Sequence, residues 1–511
     1  MNSQFAITTR SLPRAVSLAL IVAALAILWP AAPHRLPAAA AQLNLPALGA
    51  TFRENQRPGT AAWRSASLAR EAVAPAGSAA QQQVWSDSPI RGYASTSSVN
   101  HGDPITFYVG TSYPSFTLDV YRMGWYDGDG ARQYAHVENQ TGQDQPVPAP
   151  DPDTGLLELH WQPSYTLQTG ADWPSGVYLV KLLATNDVTN YIPFVVRADG
   201  QTAQIVYQVP FATYQAYNNW GGKSLYDWES MDGVAAVKVS FDRPYADWDG
   251  SGGFFDGDYN MIRWLERQGY DVTYVASQDL DAGTAQLARG KLFLSAFHDE
   301  YWSRAMREHL TAARDAGDSI AFFASDNIDW QIRFEPSSSG VARHVEVCYR
   351  KARLDPLAQT NPELTTVHWN ERPLNEPTNA LLGNMYAGEI GAVTGTWPEG
   401  ADWAVVNSES WVYAGTGLQD GDHIPRLVGY EYDRAFDNGA SPPGLLLLSD
   451  SVIGDNRANG TLYVAESGAI VFSAGTSYWP FELDDNEYRS YGADLRVQIM
   501  TANILNAMIA R

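Results

Sequence analysis

A histidine and a glutamate stand two residues apart, directly after a short apolar segment of this chain. Residues 291–296 predict a buried strand, and residues 303–316 predict a helix with Ser303 as its N-cap. His298 and Glu300 therefore lie where a strand leads into a helix. Open α/β sheets bind their ligands at such carboxyl-terminal strand edges, so we expect chemistry at this point.

Tyrosines and an asparagine follow two other predicted strands. Residues 205–209 predict the first of these strands. The loop after it carries three tyrosines, which are Tyr214, Tyr217 and Tyr226. Asn327 follows a later strand. The carboxyl ends of parallel strands meet at one edge of a sheet, so we expect these side chains to converge.

The phenol and carboxylate oxygens would form a hard anionic set of ligands. Such ligands suit a hard ion, for example ferric iron. A bound cation would also lower the pKa of a tyrosine enough to keep the phenolate at neutral pH. The alternative interpretation is that these tyrosines line a core or stack on a sugar.

The usual catalytic sequence motifs are missing. The chain has no GxGxxG after a strand, no P-loop, no HExxH and no GxSxG. Its nine histidines form no close pair, so a histidine-rich zinc site is not expected. The only cysteine, Cys348, lies in a strand-like segment and is interpreted as a packed residue rather than a nucleophile.

Composition limits the class of protein. The net charge of −23 argues against nucleic acid as a partner, because phosphate binding needs a basic surface. A hydrophobic content of 45% in 511 residues is enough for several folded domains. The 17 Trp and 27 Tyr favour β-rich domains.

The N-terminal segment has the layout of a secretory signal peptide. Arg10 and Arg14 precede an uncharged apolar stretch at 15–29, and residues 38–41 are small enough for cleavage. We therefore predict that residues 1–41 direct export, which makes the protein secreted or extracytoplasmic. The alternative is an uncleaved anchor, which would be the one link to a membrane.

The predicted secondary structure of the remaining chain changes twice along the sequence. Residues 42–85 predict a linker with at most one short helix at 61–72. Residues 86–199 contain short strands separated by Gly, Pro and Asp turns, as in an Ig-like β-sandwich. Strands and helices alternate in 200–511, which predicts an α/β domain with a mostly parallel sheet and a β-rich insertion around 343–450. The predicted fold class is multidomain β plus α/β.

Several pieces of the chain resemble one family. The sequence resembles the large (β) subunit of N,N-dimethylformamidase and its relatives. The shared order of the pieces, over about residues 90–511, makes the resemblance specific. The matching pieces are residues 120–126, 213–218, 224–227, 298–302 and 429–434.

The resemblance implies a fold and a metal. It implies a β-sandwich joined to an amidotransferase-like α/β domain, and an amidohydrolase with mononuclear iron, expected as Fe³⁺. Two Tyr and one Glu hold the iron in the family. The matching residues of this chain are Tyr217, Tyr226 and Glu300.

The resemblance also implies residues beside the metal. His298 and Asn327 match a His and an Asn that lie next to the iron, and Glu431 matches an acid near the substrate. General chemistry suggests that His298 or Glu431 moves protons and that Asn327 donates to an oxyanion. The alternatives are that His298 only holds Glu300 and that Glu431 pairs with Arg434.

The sequence leaves two main functions open. The first is an exported iron-dependent hydrolase of a C–N amide bond, acting on a small amide substrate. The second is a non-catalytic surface protein that binds glycan or peptide. Hydrolysis of an ester or glycoside is a third reading, in which the tyrosines have no role. A small companion subunit and a homo-oligomer both remain open.

Overall fold

The computed structural model describes most of the chain beyond the predicted signal peptide. The predicted signal peptide at 1–41 lies outside the described residues, as does much of the predicted linker. In the portion of the chain that is described, no helix has the length and apolar character of a membrane span. Residues Gly49–Arg511 form one compact unit. The described residues are 49–66, 68, 88–390 and 400–511.

Two mostly antiparallel sheets pack against each other and share the first apolar core. The rings of Phe107 and Phe194, one from each sheet, lie 5.7 Å apart in that core. The smaller sheet is β1 (Ile90–Ala94), β3 (Pro104–Thr111) and β6 (Tyr165–Gln168). The larger sheet, in spatial order, is β2 (Ser98–Asn100), β8 (Thr189–Arg197), β7 (Gly176–Leu183), β4 (Ser115–Met123) and β5 (Ala131–Thr141).

A seven-stranded mixed sheet forms the centre of the following region. Its first five strands run parallel and its last two are antiparallel, so the predicted mostly parallel sheet has an antiparallel edge. The predicted strand at 205–209 is confirmed as β9. In spatial order the strands are β11 (Val272–Ala276), β9 (Ile205–Val209), β12 (Leu292–His298), β14 (Ser319–Ser325), β25 (Ile470–Ser473), β24 (Thr461–Val464) and β21 (Leu446–Leu447).

Helices cover both faces of this sheet because its strands are apolar on both sides. Tyr207 belongs to the core on one face and its neighbour Val206 to the core on the other. Ser303 caps the helix after β12 as predicted, since its Oγ accepts from the Met306 N–H at 3.2 Å. The described helices are α1 (Ala50–Asn55), α2 (Phe211–Tyr217), α3 (Asp258–Gln268), α4 (Ser277–Ala282), α5 (Arg304–Ala316), α6 (Asn379–Leu382) and α7 (Leu495–Ile509).

Further short strands form one more sheet and three antiparallel pairs, and turns, loops and 3-10 helices connect them. One further sheet, in spatial order, is β10 (Lys238–Ser240), β16 (Val345–Val347), β15 (Trp330–Glu335) and β13 (Tyr301–Ser303). Three antiparallel pairs are β17 (Met385–Glu389) with β20 (Glu431–Arg434), β18 (Ala401–Ala404) with β19 (His423–Val428), and β22 (Ser451–Ile453) with β23 (Asn456–Ala458).

The described part of the predicted linker packs into the fold. In α1, Thr51 Oγ1 donates to the Val272 carbonyl at 3.1 Å, and Asn55 Nδ2 donates to Glu266 Oε2 at 2.7 Å. Trp63 is fully buried. A free linker would leave such groups in water, so residues 49–66 are part of the folded body instead.

Candidate metal centre

The three predicted iron ligands meet at one point. Tyr217 Oη lies 2.7 Å from Glu300 Oε2, and Tyr226 Oη lies 2.7 Å from Tyr217 Oη. Tyr226 Oη is also 3.0 Å from Glu300 Oε1 and 3.1 Å from Glu300 Oε2. Residues distant in the chain thus bring two phenol oxygens and a carboxylate into mutual contact. This is the donor chemistry that a hard cation prefers.

The first of these predicted ligands lies on a helix, not in a loop. Tyr217 is the last residue of α2, which follows β9 after Pro210. Thr213, on the same helix, accepts from the Glu300 N–H at 3.0 Å through its Oγ1. The prediction that one loop carries all three tyrosines is therefore wrong. The helix fixes Tyr217 and anchors the backbone of Glu300 at the same time.

The third tyrosine of the predicted loop does not reach this point. Tyr214 is also on α2, and its Oη donates to Asp258 Oδ2 at 2.5 Å. Tyr207 donates to Asp258 Oδ1 at 2.5 Å. Burial raises the pKa of Asp258 to about 7. This group lies in the core below the sheet edge and holds α3 against β9.

Backbone strain marks the end of β12. Phe297 has φ of 62°, in the left-handed region that a bulky residue rarely adopts. Asp299, two residues on, turns into the protein and accepts from Ser295 Oγ at 2.7 Å and Trp302 Nε1 at 2.9 Å. The strain and these bonds direct His298 and Glu300 toward the tyrosines.

Burial sets the protonation of the three ligand groups. It raises the pKa of both the Tyr217 and Tyr226 phenols well above their ordinary value, and the Glu300 carboxylate adds to this effect. Burial also raises the pKa of Glu300 to about 7. In the absence of a cation the phenols keep their protons. A bound cation would reverse this preference.

His298 lies between three carboxylates. Its Nε2 is 2.8 Å from Glu431 Oε2, 3.5 Å from Glu300 Oε2 and 3.6 Å from Asp326 Oδ2. Burial lowers the pKa of His298, but Glu431 and Asp326 outweigh that effect and raise it well above the ordinary value. The imidazole is therefore held as a cation beside the ligand set.

Glu431 contacts this histidine rather than an arginine. Arg434, on the same strand β20, donates from Nη1 to Asn456 Oδ1 at 3.1 Å. The interpretation of Glu431 as the partner of Arg434 is therefore wrong. Both side chains are buried, and Glu431 Oε2 and His298 Nε2 form an ion pair with each other at 2.8 Å. The pair lies beside Glu300, whose Oε2 is 3.5 Å from the same imidazole nitrogen.

The predicted Asn327 points to a different neighbour. Its Nδ2 donates to Asp433 Oδ2 at 3.3 Å. Its neighbour Asp326, which has φ of 51°, is the residue that faces His298. The left-handed residue after β14 turns the Asp326 side chain toward His298, and the role predicted for Asn327 stays a prediction.

Two further residues contact the ligands and were not predicted. Tyr301 Oη lies 2.8 Å from Tyr226 Oη, and the Arg350 guanidinium stacks on the Tyr226 ring at 3.9 Å. Tyr301 could have been found because it directly follows Glu300. Arg350 carries no sequence signal that links it to this site.

Cys348 lies near this cluster, but its thiol is unreactive. The thiol is buried, and burial raises its pKa to about 12. A thiol in this state is not a nucleophile at neutral pH. The interpretation of Cys348 as a packed residue agrees with this environment.

The comparison with protein families places these residues in a known group. The family described as N,N-dimethylformamidase beta subunit-like, C-terminal, matches residues 117–491. The chain belongs to the N,N-dimethylformamidase beta subunit-like family. The predicted resemblance is confirmed, and the match spans every residue of the candidate metal centre. Membership in this dimethylformamidase-like family supports, at a coarse level, a hydrolase that acts on C–N bonds.

Comparisons with individual proteins add little to the family assignment. No curated protein matches the chain. Among solved structures, the mmIFT52 N-terminal domain aligns at 11% identity and a TM-score of 0.27, over 48% of this chain and 86% of that one. A Paenibacillus sp. cycloisomaltooligosaccharide glucanotransferase aligns at 10% identity and a TM-score of 0.16, over 50% of this chain and 58% of that one. Likeness at this level says nothing about activity.

Proposed function

We propose that this chain is an exported hydrolase of small amides that uses mononuclear iron held by Tyr217, Tyr226 and Glu300. The observation that carries the proposal is the meeting of these three side chains, with every ligand oxygen within about 3 Å of another. Membership in a family of C–N hydrolases supports the reaction class.

The donor set fits a trivalent ion. Two phenolates and one carboxylate carry three negative charges, which would balance Fe³⁺ in a buried site. Asp326 Oδ1 and the ion pair of His298 with Glu431 lie next to this set, and Asp326 Oδ1 is buried with no hydrogen-bond partner among the described residues. Unpartnered buried polar atoms are rare in folded proteins, so its presence here supports a site built for a further ligand. When bound, iron supplies a Lewis acid that lowers the pKa of a coordinated water.

Residues of the chain itself would hold and transfer the protons of the reaction. His298 holds a proton at Nε2, 3.5 Å from Glu300 Oε2 and 2.8 Å from Glu431 Oε2. This position suits a general acid that protonates the leaving amine, with Glu431 accepting the proton of the attacking water. The contact with Glu431 stabilises the protonated imidazole of His298, whose pKa is raised well above its ordinary value.

Asn327 keeps a donor for its predicted role. Its Nδ2 carries two N–H groups, and one of them donates to Asp433 Oδ2 at 3.3 Å. The second N–H is the group that would donate to an oxyanion. Within the proposal, Asn327 also holds Asp433, whose Oδ1 accepts from the Asp326 N–H at 2.8 Å. Through this contact it supports the turn that presents Asp326.

The finer assignments of fold and location belong to the same proposal. The mixed sheet with helices on both faces supports an amidotransferase-like α/β domain at 200–511, after a sandwich at 86–199. The layout of residues 1–41 supports export. A small amide is the proposed substrate, and nucleic acid is not a proposed partner because the chain is strongly acidic.

Substrate profiling tests the proposal. Purified protein loaded with iron is assayed for amine release from a panel of small N-alkylated amides. We expect turnover of at least one amide by the wild type and loss of turnover in Glu300→Gln. The matched control is Glu308→Gln, an exposed glutamate on α5 with a side chain that is 64% accessible. Iron-loaded protein that hydrolyses no amide but binds polysaccharide would favour the glycan-binding alternative.

A further inference from the structure

Arg350 lies against the aromatic residues of the candidate metal centre. Its guanidinium carbon is 3.9 Å from the ring centre of Tyr226 and 4.6 Å from that of Trp330. The same guanidinium donates a short hydrogen bond to Tyr301 Oη. A planar cation on an aromatic face interacts favourably with the ring, and more so when water is excluded.

No carboxylate of the described residues lies within ion-pair distance of this arginine, and Glu300 acts on it only at longer range. In the portion of the chain that the structure describes, Arg350 forms no ion pair, although its guanidinium is half-buried. Buried charges are normally paired with an opposite charge. The groups closest to this cation are instead phenols, and one of them is a proposed ligand. The positive charge of Arg350 can therefore stabilise a negative charge on the Tyr226 oxygen.

The hydrogen bonds form a chain with a fixed direction. A guanidinium can only donate, so Tyr301 Oη accepts from Arg350. The single hydroxyl proton of Tyr301 is then free to point at Tyr226 Oη, 2.8 Å away. The direction runs from Arg350 through Tyr301 to Tyr226. A phenolate at Tyr226 would accept this bond as a charge-assisted one.

The backbone supports this arrangement at some cost. Arg350 has φ of 58°, in the left-handed region. The strand β16 ends three residues earlier, and Tyr349 N–H donates to Thr366 Oγ1 at 2.8 Å. Strained residues persist where the surrounding structure over-determines them, and they cluster at functional sites. The strain turns the arginine back over the ring of Tyr226.

We propose that Arg350 and Tyr301 are positioning residues that hold the Tyr226 oxygen toward the metal and stabilise its negative charge. The inference rests on the proposed function, because it assigns the surroundings of one proposed ligand. The two phenolate ligands have different neighbours, because the ring of Tyr217 faces the His298 imidazole at 5.4 Å between ring centres, whereas Tyr226 has the stacked Arg350 guanidinium and the hydrogen bond donated by Tyr301. The donated proton and the guanidinium withdraw charge from the Tyr226 oxygen and make it a weaker electron donor.

The reduced electron donation from Tyr226 should change the visible spectrum of the iron-loaded protein. A phenolate-to-iron charge-transfer band moves to longer wavelength when the phenolate becomes more electron-rich. Tyr301→Phe removes the donated hydrogen bond and keeps the ring. We therefore expect its band to move to longer wavelength. Iron affinity should fall by about 10- to 100-fold, as is typical when a residue that orients a metal ligand is lost.

Two variants of Arg350 test whether its charge, rather than an effect on folding, determines the position of the band. Arg350→Lys keeps a positive charge but loses the planar stack and the fixed fork, so its band should shift part of the way. Arg350→Gln removes the charge and should shift the band further. Matched controls are Tyr413→Phe and Arg307→Gln, which remove a buried hydroxyl bond and an arginine stacked on Trp369 elsewhere in the fold. Both should leave the band in place.

The outcomes distinguish the two levels of the proposal. Wild-type protein that takes up no iron and shows no band overturns the proposed function, and this inference with it. Coloured wild type with an unchanged band and unchanged iron affinity in Tyr301→Phe and both Arg350 variants overturns the inference alone. Circular dichroism of each variant confirms that it is folded before the spectra are compared.

Discussion

Glu431 Oε2 lies 2.8 Å from His298 Nε2, and this contact joins the last residue of β12 to the first residue of β20. The two side chains are nearly fully buried, at 9% and 6% accessibility. Glu300, a proposed ligand, is 3.5 Å from the same imidazole nitrogen. The pair thus lies beside the three proposed ligands, and the proposal gives it a role in proton transfer.

The first prediction concerns this pair. Glu431→Gln keeps the size of the side chain but removes the charge that faces His298. We expect kcat for amide hydrolysis to fall by about 10²- to 10⁴-fold, the usual contribution of a general acid or base, while iron content and colour are kept. The control is Arg434→Gln on the same strand, which should keep activity. Full activity in Glu431→Gln would contradict the role given to the pair.

The second prediction concerns stability on metal loading. Iron bound only by the folded state stabilises it, by about 2.7 kcal/mol when free iron is 100 times its Kd. Adding iron to chelator-treated wild type should therefore raise its Tm. Tyr217→Phe should lose most of this response, whereas Tyr214→Phe on the same helix should keep it because Tyr214 bonds Asp258 instead. An equal rise in all three proteins would argue against Tyr217 as a ligand.

The third prediction concerns a buried ion pair far from the site. Arg122 Nη2 lies 2.7 Å from Glu266 Oε1, and both side chains are inaccessible to solvent. Arg122→Met would leave the Glu266 charge buried and unpaired, which we expect to lower the free energy of unfolding by about 3–5 kcal/mol. Arg64, whose partner Glu487 is 55% exposed, is the matched control. Arg64→Gln should cost at most about 1 kcal/mol in urea unfolding.

The fourth prediction concerns the single thiol. Cys348 is buried, and burial raises its pKa to about 12, so almost no thiolate is present at pH 8. A thiol-specific reagent at pH 8 should label the native protein at the slow rate of its unfolding. The denatured protein should react at once with one equivalent. Rapid labelling of the native protein would show that this region is open.

Local chemistry made part of the fold predictable. The strand at 205–209 is apolar at every position except Gln208, which is typical of a strand buried on both faces. Ser303 carries its capping function in its own side chain. These signals act over a few residues and need no knowledge of the rest of the molecule. The resemblance then supplied the family, which neighbouring residues alone do not specify.

Tertiary context decided what could not be predicted. The helix α2 has seven residues, too few to show a helical period, so Tyr217 was placed in a loop. A left-handed residue after β14 decides that Asp326 rather than Asn327 faces His298. Arg350 reaches Tyr226 only because β13, β15 and β16 pair in one sheet. No pattern in the sequence encodes such a contact.

The most direct test of the account is iron content together with the visible spectrum of purified wild type and Tyr226→Phe. The account predicts one iron per wild-type chain and an absorption band from tyrosinate-to-iron charge transfer. It predicts that Tyr226→Phe loses most of both while staying folded, and that Tyr214→Phe keeps both. Wild-type protein that stays colourless and metal-free after iron loading, or Tyr226→Phe that retains iron and colour, would contradict it.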